Sequence, residues 1–132
     1  MSLFGGLKIS ASALSVERLR MNVIAENIAN AESTRTPEGG AYRRKQIIVA
    51  EGAADVGGGV RAVGIVADPS PSKLLFDPSH PDARADGYVQ MPNVDVPAET
   101  VDLMTATRAY EANAAAYQTQ RQSQERTLEL LV

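Results

Sequence analysis

The chain has 132 residues, enough for one modest domain, and 44% of them are hydrophobic, as in ordinary globular proteins. Cysteine is absent, which excludes disulfides and thiolate metal sites. The net charge is −3 and no segment is densely basic, so nucleic acid is not a predicted partner.

The core must be built largely without aromatic side chains, which make up only 5% of the residues. Aromatic residues bury the most area per side chain, so little is left to drive the folding of an isolated monomer. The charge is also uneven along the chain. Residues 1–46 carry a net +3, residues 47–96 carry −4 and residues 97–132 carry −2.

The first predicted element is a long helix from about Leu7 to Ala31. Its apolar residues recur every seven positions, as one stripe of an amphipathic helix requires. The stripe consists of Leu7, Leu14, Met21 and Ile28. Glu32-Ser33-Thr34, then Pro37 and two glycines, are predicted to end the helix. At ~1.5 Å per residue the helix is about 40 Å long.

Side-chain amides at Asn22, Asn27 and Asn30 stand near the end of this helix. One interpretation places them in solvent close to a frayed helix end. The other places them inside a helix–helix contact, where a buried amide fixes register because only one alignment satisfies it. Asn113, flanked by alanines, repeats the combination of an amide with small residues in the second helix.

The middle of the chain has the composition of short strands. Four segments rich in Val, Ile and Tyr are bounded by turn residues and predict three or four strands in one small sheet. They are AYRRKQIIVA, GVRAVGIVA, KLLF and GYVQM. Gly57-Gly58-Gly59 lies between the first two and is predicted to form a hairpin turn.

The only histidine, His80, lies near Asp77, Asp82 and Asp86 in FDPSHPDARADG. This spacing fits neither a calcium loop nor a zinc site, so the segment is predicted to be a rigid polar loop with turn-capping aspartates. There is no second histidine to move protons and no nucleophile motif. We predict no catalytic residue, no metal ligand and no cofactor.

The last predicted element is a helix that runs to the end of the given sequence. Asp95 offers a capping oxygen, Pro97 suits a first helical turn, and Glu99 and Asp102 favour the positive end of the helix dipole. Its apolar stripe repeats every seven residues through Leu103, Tyr110, Tyr117 and Leu131.

The predicted fold class is α+β, with long N- and C-terminal helices paired as a coiled-coil-like hairpin around a small β-rich insert. The predicted organisation is a helix at 1–33, a loop and β-rich insert at 34–96 and a helix at 97–132. No apolar run is long enough to span a membrane, and residues 1–15 do not resemble a secretory signal. The insert is too small to cover both helices, so exposed apolar surface predicts an interaction site.

Several motifs resemble those of the flagellar rod, hook and hook-associated axial proteins. Asn27-Ile28-Ala29-Asn30 is followed by a Thr-Pro-x-Gly-x-x-Tyr-Arg-Arg sequence at 36–44. DPSHPDARADGYVQMPNVDV at 77–96 and RAYEAN at 108–113 resemble the proximal rod members of this family more narrowly. The resemblance extends over essentially the whole chain.

This resemblance implies a structural subunit of the proximal rod in the flagellar basal body. Such subunits are exported without a cleaved signal through the flagellar type III apparatus and polymerise into the hollow drive shaft that crosses the periplasm. The implied partners are other rod proteins, copies of the same chain and basal-body or export-gate components, with no small-molecule substrate. The predicted assembly residues are Leu7, Leu14, Met21, Asn27, Ile28, Asn30, Thr36, Pro37, Gly39, Tyr42, Arg43, Arg44, Leu103, Tyr110, Asn113 and Tyr117.

Two other functions stay open on the residues alone. A coiled-coil adaptor or secretion chaperone predicts a defined dimer or heterodimer in place of an open array. An enzyme built around His80 predicts that His80→Ala abolishes an activity. The rod hypothesis further predicts that both ends of the monomer are poorly ordered before assembly.

Overall fold

The structure is a computed structural model that describes residues 3–53 and 57–132. Along the sequence, a long helix is followed by four short strands and then by a second long helix. Helix α1 spans Leu3–Ala29 and helix α2 spans Val96–Leu130. The strands between them are β1 (Lys45–Glu51), β2 (Val60–Ala67), β3 (Lys73–Phe76) and β4 (Tyr88–Met91). The α+β class and the order helix, small β insert, helix agree with the prediction.

Helix α1 ends at Ala29, before the predicted boundary at residue 33, because Asn30 closes it with local hydrogen bonds. The backbone N–H of Asn30 donates to the Glu26 carbonyl at 3.0 Å, and its side-chain Nδ2 donates to the same carbonyl at 2.9 Å. The Asn30 Oδ1 then accepts a bond of 3.1 Å from Ser33 Oγ. Together these bonds satisfy groups that a helix end leaves open.

The chain divides into two compact units. The first contains the described parts of 1–21, 47–64 and 104–132, and the second contains 22–46 and 65–103.

In the first unit, side chains of α1 and α2 are in contact at two places. Ser10 Oγ donates to Gln120 Oε1 at 3.4 Å, and Thr107 Oγ1 donates to Met21 Sδ at 3.6 Å. The earlier residue of α1 contacts the later residue of α2, so the two segments run antiparallel. Ser10 and Val16 on α1 and Ala106 on α2 are buried in this unit.

The glycine triplet lies in the connection from β1 to β2, where a hairpin turn is predicted. Gly57, Gly58 and Gly59 all have positive φ, of 94°, 76° and 91°. The Val60 N–H that follows donates to Ser12 Oγ on α1 at 3.1 Å. This close approach places the start of β2 against the helix.

In the second unit, β3 and β4 form an antiparallel pair with Lys73 opposite Met91 and Phe76 opposite Tyr88. Val89 of β4 is fully buried, whereas all four residues of β3 are exposed. The rings of Phe76 and Tyr88 meet edge to face, with centroids 5.2 Å apart. Aromatic pairs favour this arrangement.

The prediction of a single small sheet is wrong, because the strands form two separate two-stranded sheets. β1 pairs with β2, and β3 pairs with β4. The segment between β2 and β3 contains Pro69 and Pro71, which lack the N–H group that extending the first ladder would need. Asn93 Nδ2 also donates to the carbonyls of Asp68 and Ser70, at 3.3 and 3.1 Å, so these two carbonyls of the segment bind a side chain and not a neighbouring strand.

Within residues 3–53 and 57–132, neither helix is long and apolar enough to cross a lipid bilayer.

Candidate functional site

The amide of Asn27 is the centre of a buried polar cluster in the second unit. Its side chain is 1% exposed, although it lies in the motif whose amides were open to two interpretations. Nδ2 donates to the Lys45 carbonyl at 2.9 Å and to Glu99 Oε2 at 3.1 Å. Oδ1 accepts from the Lys45 N–H and from the Tyr42 hydroxyl, both at 2.9 Å. All four hydrogen-bonding positions of the amide are therefore used inside the chain.

Tyr42 is held in place by the loop that returns from the end of α1. Its backbone N–H donates to the Ser33 carbonyl at 2.9 Å, and the residue is 7% exposed. Burial, and then the negative charge of Glu26, raise the pKa of the Tyr42 phenol above its usual range. The phenol is therefore a firm hydrogen-bond donor to Asn27.

Glu99 is the buried carboxylate of the cluster and is 1% exposed. One carboxylate oxygen accepts from Asn27, and the other is paired with the Nε of Arg44. Glu99 lies in the first turn of α2, where a carboxylate also faces the positive end of the helix dipole. A buried carboxylate with both oxygens bonded meets the requirement for a charge away from water.

Arg44 joins three further residues to Glu99. Its guanidinium binds Asp68 Oδ2 at 3.3 Å and lies 3.6 Å from Asp102 Oδ2, and its backbone N–H donates to Asn93 Oδ1 at 2.8 Å. Partial burial acts to lower the pKa of Arg44, but the bonds and charges of Glu99 and Asp68 outweigh it and the pKa is raised.

Asp68 is a carboxyl group of this cluster whose pKa is lowered by its hydrogen bonds. Hydrogen bonds from the hydroxyl and the backbone N–H of Ser70, at 2.5 and 2.8 Å, lower its pKa to about 2, with further contributions from Arg44 and Gln46. Its own backbone N–H donates to the Arg44 carbonyl at 2.7 Å. Asp68 therefore holds the end of β2 beside the start of β1.

We name Asn27, Tyr42, Arg44, Asp68, Asn93 and Glu99 the Asn27 cluster. Within the second unit it joins the end of α1, the start of β1, the end of β2 and the first turn of α2. Among the described residues, no buried side-chain nitrogen or oxygen lacks a hydrogen-bond partner. A fully satisfied network of this kind specifies one arrangement of the segments that it joins.

The loop between Ser33 and Tyr42 is the exposed part of the same sequence motif. Pro37, Glu38, Gly39 and Gly40 are all exposed, and both glycines have positive φ. Thr36 Oγ1 supports the turn through the carbonyls of Gly39 and Gly40, at 3.3 and 3.2 Å. The signature therefore has a buried half and a surface half.

The two adjacent arginines of the motif differ in their surroundings. Arg44 is paired inside the chain with Glu99 and Asp68. Arg43 is exposed, and its guanidinium donates to the carbonyls of Asp68 and Ser70 at 3.4 and 3.2 Å. No carboxylate pairs with its guanidinium among the residues described.

The predicted apolar stripes are half-buried, and the fully buried helix residues lie beside them. Val16, Val23 and Ile24 are 4–6% exposed. The half-buried residues are Leu7, Leu14, Met21 and Ile28 on α1 and Leu103, Tyr110 and Tyr117 on α2. The seven-residue spacing therefore selects positions next to the most buried residues of α1, and not those residues themselves.

The remaining amides of the predicted set bind locally. Asn30 closes α1, as described above, and Asn113 Nδ2 donates to the carbonyl of Ala109 in its own helix at 2.8 Å. Asn22 is exposed. Of the amides singled out in the sequence, Asn27 alone joins the two helices in the described contacts.

Asp77 and Asp86 cap turns, as predicted, Asp86 by accepting from the Tyr88 N–H at 3.2 Å, whereas the carboxylate of Asp82 binds a distant segment. Asp77 Oδ1 accepts from the Ser79 N–H at 3.1 Å, and the His80 Nδ1 accepts from the Asp82 N–H at 3.0 Å. Asp82 binds Thr34 at 2.8 Å and is paired with Arg35. Over residues 3–53 and 57–132, no three His, Cys, Asp or Glu side chains are grouped so that they could hold a metal ion.

Sequence reasoning missed Asp68, Asn93 and the central role of Glu99. Glu99 was noted only as a favourable charge at a helix start. A carboxylate at the start of α2 and an unexplained amide at the end of α1 were visible signals. Nothing local connects them, because the two residues are 72 positions apart.

Comparison with known proteins assigns the class. Residues 7–35 match the family model "Flagella basal body rod protein", and residues 85–130 match "Flagellar basal body rod FlgEFG protein C-terminal". The first match contains Asn27 and the second contains Glu99. These two matches define the class as flagellar basal-body rod proteins.

Individual relatives narrow this class. The chain is 45% identical to the flagellar basal-body rod protein FlgC of Yersinia enterocolitica, over 98% of each chain. The proteins of the same name from Escherichia coli O157:H7 and Salmonella typhimurium are 42% and 41% identical, again over 98% of each chain. The chain belongs to the FlgC family of flagellar basal-body rod proteins and is a structural component of the rod.

Proposed function

We propose that this chain is a subunit of the proximal rod that polymerises with other rod proteins and with its own copies into the hollow drive shaft of the flagellum. One observation carries the proposal. The buried half of the family signature is satisfied inside the chain, whereas its surface half is exposed and the helix stripes are only half-buried. A protein that only folds by itself has no need to leave these surfaces exposed.

We further propose that α1 and α2 pair as a coiled coil in the assembled rod. The residues of α2 that are not exposed include a set spaced alternately by four and three positions, which is the spacing of a coiled-coil seam. The set is Glu99, Leu103, Ala106, Tyr110, Asn113, Tyr117, Gln120 and Gln124. In this proposal the paired helices form the inner layer around the channel and the β-rich insert lies outside.

The exposed loop is the proposed contact between subunits. Thr36, Pro37 and Gly39 give it a defined turn, and Arg43 beside it carries a charge without a carboxylate partner among the described residues. Together with the half-buried stripe residues, they make up the surface that neighbouring rod subunits contact. Asn27, Tyr42 and Arg44 contribute by holding this loop in position.

Torque is transmitted mechanically in this proposal, by burial and register. Burying one large aliphatic side chain is worth ~1.5–3 kcal/mol, so a few shared stripe positions decide assembly. Contacts that join one surface of a subunit to a different surface of the next generate an open helical array. Export without a cleaved signal and a position in the rod across the periplasm are part of the proposal, and the family resemblance supports them.

The test is complementation in a flagellated bacterium whose own copy of the corresponding gene is deleted. We expect the chain to restore swimming and to be present in purified basal bodies, where cryo-microscopy places it in the rod. Recovery of the chain only as a free dimer or heterodimer, with none in basal bodies, would favour the adaptor and overturn the proposal. Native mass measurement of the purified chain distinguishes the same two outcomes.

A further inference from the structure

The last turns of α2 present leucines that the rest of the chain leaves uncovered. Leu128 is 62% exposed, Leu130 is 87% exposed and Leu131 is 79% exposed. From residue 125 onward every residue is exposed, and Gln124 is the last partly sheltered one. Leu128 in the last turn and Leu131 just after it are three positions apart and lie on the same side of the chain end, where the Leu131 N–H donates to the Leu128 carbonyl at 3.2 Å. Exposed apolar side chains that lie together mark a candidate interaction site.

A groove elsewhere in the first unit has the size to accept such a side chain. Its volume is about 210 Å³, larger than the ~150 Å³ cavity that holds a benzene molecule. Leu14, Tyr110 and Tyr117 supply its apolar walls. Ala11, Ser15 and Arg18 complete the lining.

The charges at the two surfaces are complementary. Arg18 at the groove has no ion-pair partner within the described ranges, because the neighbouring Glu17 is paired with Arg20 at 3.1 Å. At the end of α2, Glu125 is paired with Arg121 at 3.0 Å, and Glu129 makes no ion pair with any residue the structure describes. Glu129 therefore offers an unpaired carboxylate next to Leu128 and Leu130.

The groove and the leucines cannot meet within one molecule. Tyr117 and Leu128 both belong to the continuous helix α2, and eleven residues separate them. At ~1.5 Å per residue this distance is about 16 Å, and the helix cannot fold back on itself. The end of α2 can therefore reach this groove only in a second molecule, and the apolar groove with Arg18 matches the leucines with Glu129 in chemistry.

We propose that Leu128 and Leu131 at the end of α2 insert into the Leu14–Tyr110–Tyr117 groove of a second copy of this chain, with Glu129 paired to Arg18 of that copy. The proposal rests on the proposed role as a rod subunit and specifies one contact between copies. The two surfaces differ, so the contact is head-to-tail and each copy keeps a free groove and a free end. Self-association is therefore open-ended.

Cross-linking tests the contact directly, because the chain has no cysteine of its own. Ser15→Cys at the groove combined with Leu128→Cys is expected to give a ladder of dimers, trimers and larger species on mild oxidation. An intramolecular disulfide is excluded because the two positions are far beyond the ~6.8 Å limit between Cα atoms. The control variant combines Ser15→Cys with Leu74→Cys, an equally exposed leucine on β3 that is 58% exposed.

The ladder must depend on both positions. If the control pair cross-links as strongly, or if Ser15→Cys alone forms dimers as efficiently as the mixture of the two single variants, the head-to-tail contact is wrong. Charge exchange gives a second test. We expect Arg18→Glu and Glu129→Arg each to lower the cross-linking yield about fivefold and the double exchange to restore most of it.

Complementation separates this contact from rod membership. Leu128→Asp is expected to abolish swimming and to lower the amount of the chain in basal bodies, whereas Leu74→Asp is not. If Leu128→Asp swims and assembles normally, this contact is overturned and the rod function stands. If the unmodified chain is itself absent from basal bodies, the rod function fails as well.

Discussion

The amide of Asn27 donates a hydrogen bond of 3.1 Å to the carboxylate of Glu99, and both side chains are 1% exposed. The bond joins the last turns of α1 to the first turn of α2. A buried carboxylate keeps its charge only where its partners are in place, so the pair is satisfied in one alignment of the two segments. Asn27, a residue of the family signature, thus stabilises the fold of its own chain.

Replacing Glu99 with Ala is expected to lower the free energy of unfolding by about 3 kcal/mol, because Arg44 loses its buried partner and Asn27 loses an acceptor. Urea unfolding at neutral pH measures the change. The matched control is Glu129→Ala, an exposed carboxylate on the same helix, which should change stability by less than about 0.5 kcal/mol. Equal effects of the two substitutions would contradict a structural role for Glu99.

Removing only the hydroxyl of Tyr42 tests the next contact of the Asn27 cluster. Tyr42→Phe deletes the 2.9 Å bond to Asn27 Oδ1, which still accepts from the Lys45 N–H, so we expect a loss of about 1 kcal/mol. Tyr88→Phe is the control, because its exposed hydroxyl makes no hydrogen bond with the described residues. The thermal midpoints of both variants decide the comparison, and a Tyr42→Phe protein as stable as the control would refute the prediction.

Stability should fall in acid through Asp68. Its pKa is lowered from 3.8 to about 2 in the folded chain, so folding favours the ionised carboxyl group. This contribution is fully present above the unfolded value and is lost as the pH falls from about 4 to about 2. Urea midpoints across that range should fall less steeply for Asp68→Asn than for the unmodified chain. Parallel slopes would show that Asp68 does not contribute.

The approach of the β1–β2 connection to α1 can be tested with two adjacent glycines. Both Gly58 and Gly59 have positive φ, which costs an alanine ~1–2 kcal/mol. A Cβ on Gly59 would lie 2.4 Å from Ser12 Oγ, whereas one on Gly58 would meet no atom within 4 Å. Gly59→Ala should therefore destabilise the chain by at least about 1 kcal/mol more than Gly58→Ala, because Ser12 must rotate away from Val60. Equal unfolding midpoints would mean that this contact does not form.

Amide exchange should show a gradient of order along α2 in the dilute monomer. Residues near Glu99 and Ala106 are buried, and we expect their amides to exchange slowly. Residues 121–130, nearly all exposed, should exchange within the fastest measurable time. Uniformly slow exchange over 7–30 and 100–130 would contradict the expectation that helix ends become ordered on assembly. Slower amide exchange at residues 121–130 in the assembled rod than in the monomer would support ordering on assembly.

The signature motif shows both the reach and the limit of sequence reasoning. Pro37, Gly39 and Gly40 predicted a turn, because these residue types restrict or permit backbone conformations locally. The same reasoning left Asn22, Asn27 and Asn30 indistinguishable. In the structure Asn22 is an exposed side chain, Asn30 is a helix cap with local partners, and Asn27 is the centre of a cluster because Glu99 approaches it from the other end of the chain.

Sequence alone determined the two long helices, the strand-rich middle and the family, because helical periodicity, strand composition and motif spacing are written in consecutive residues. Tertiary structure decided that the strands form two separate sheets and that Asn27, Arg44 and Glu99 meet. It also decided that the leucines at the end of α2 remain uncovered. These features depend on hydrogen bonds and burial between segments that are distant in sequence. A local pattern of residues does not specify which distant segments will meet in the folded chain.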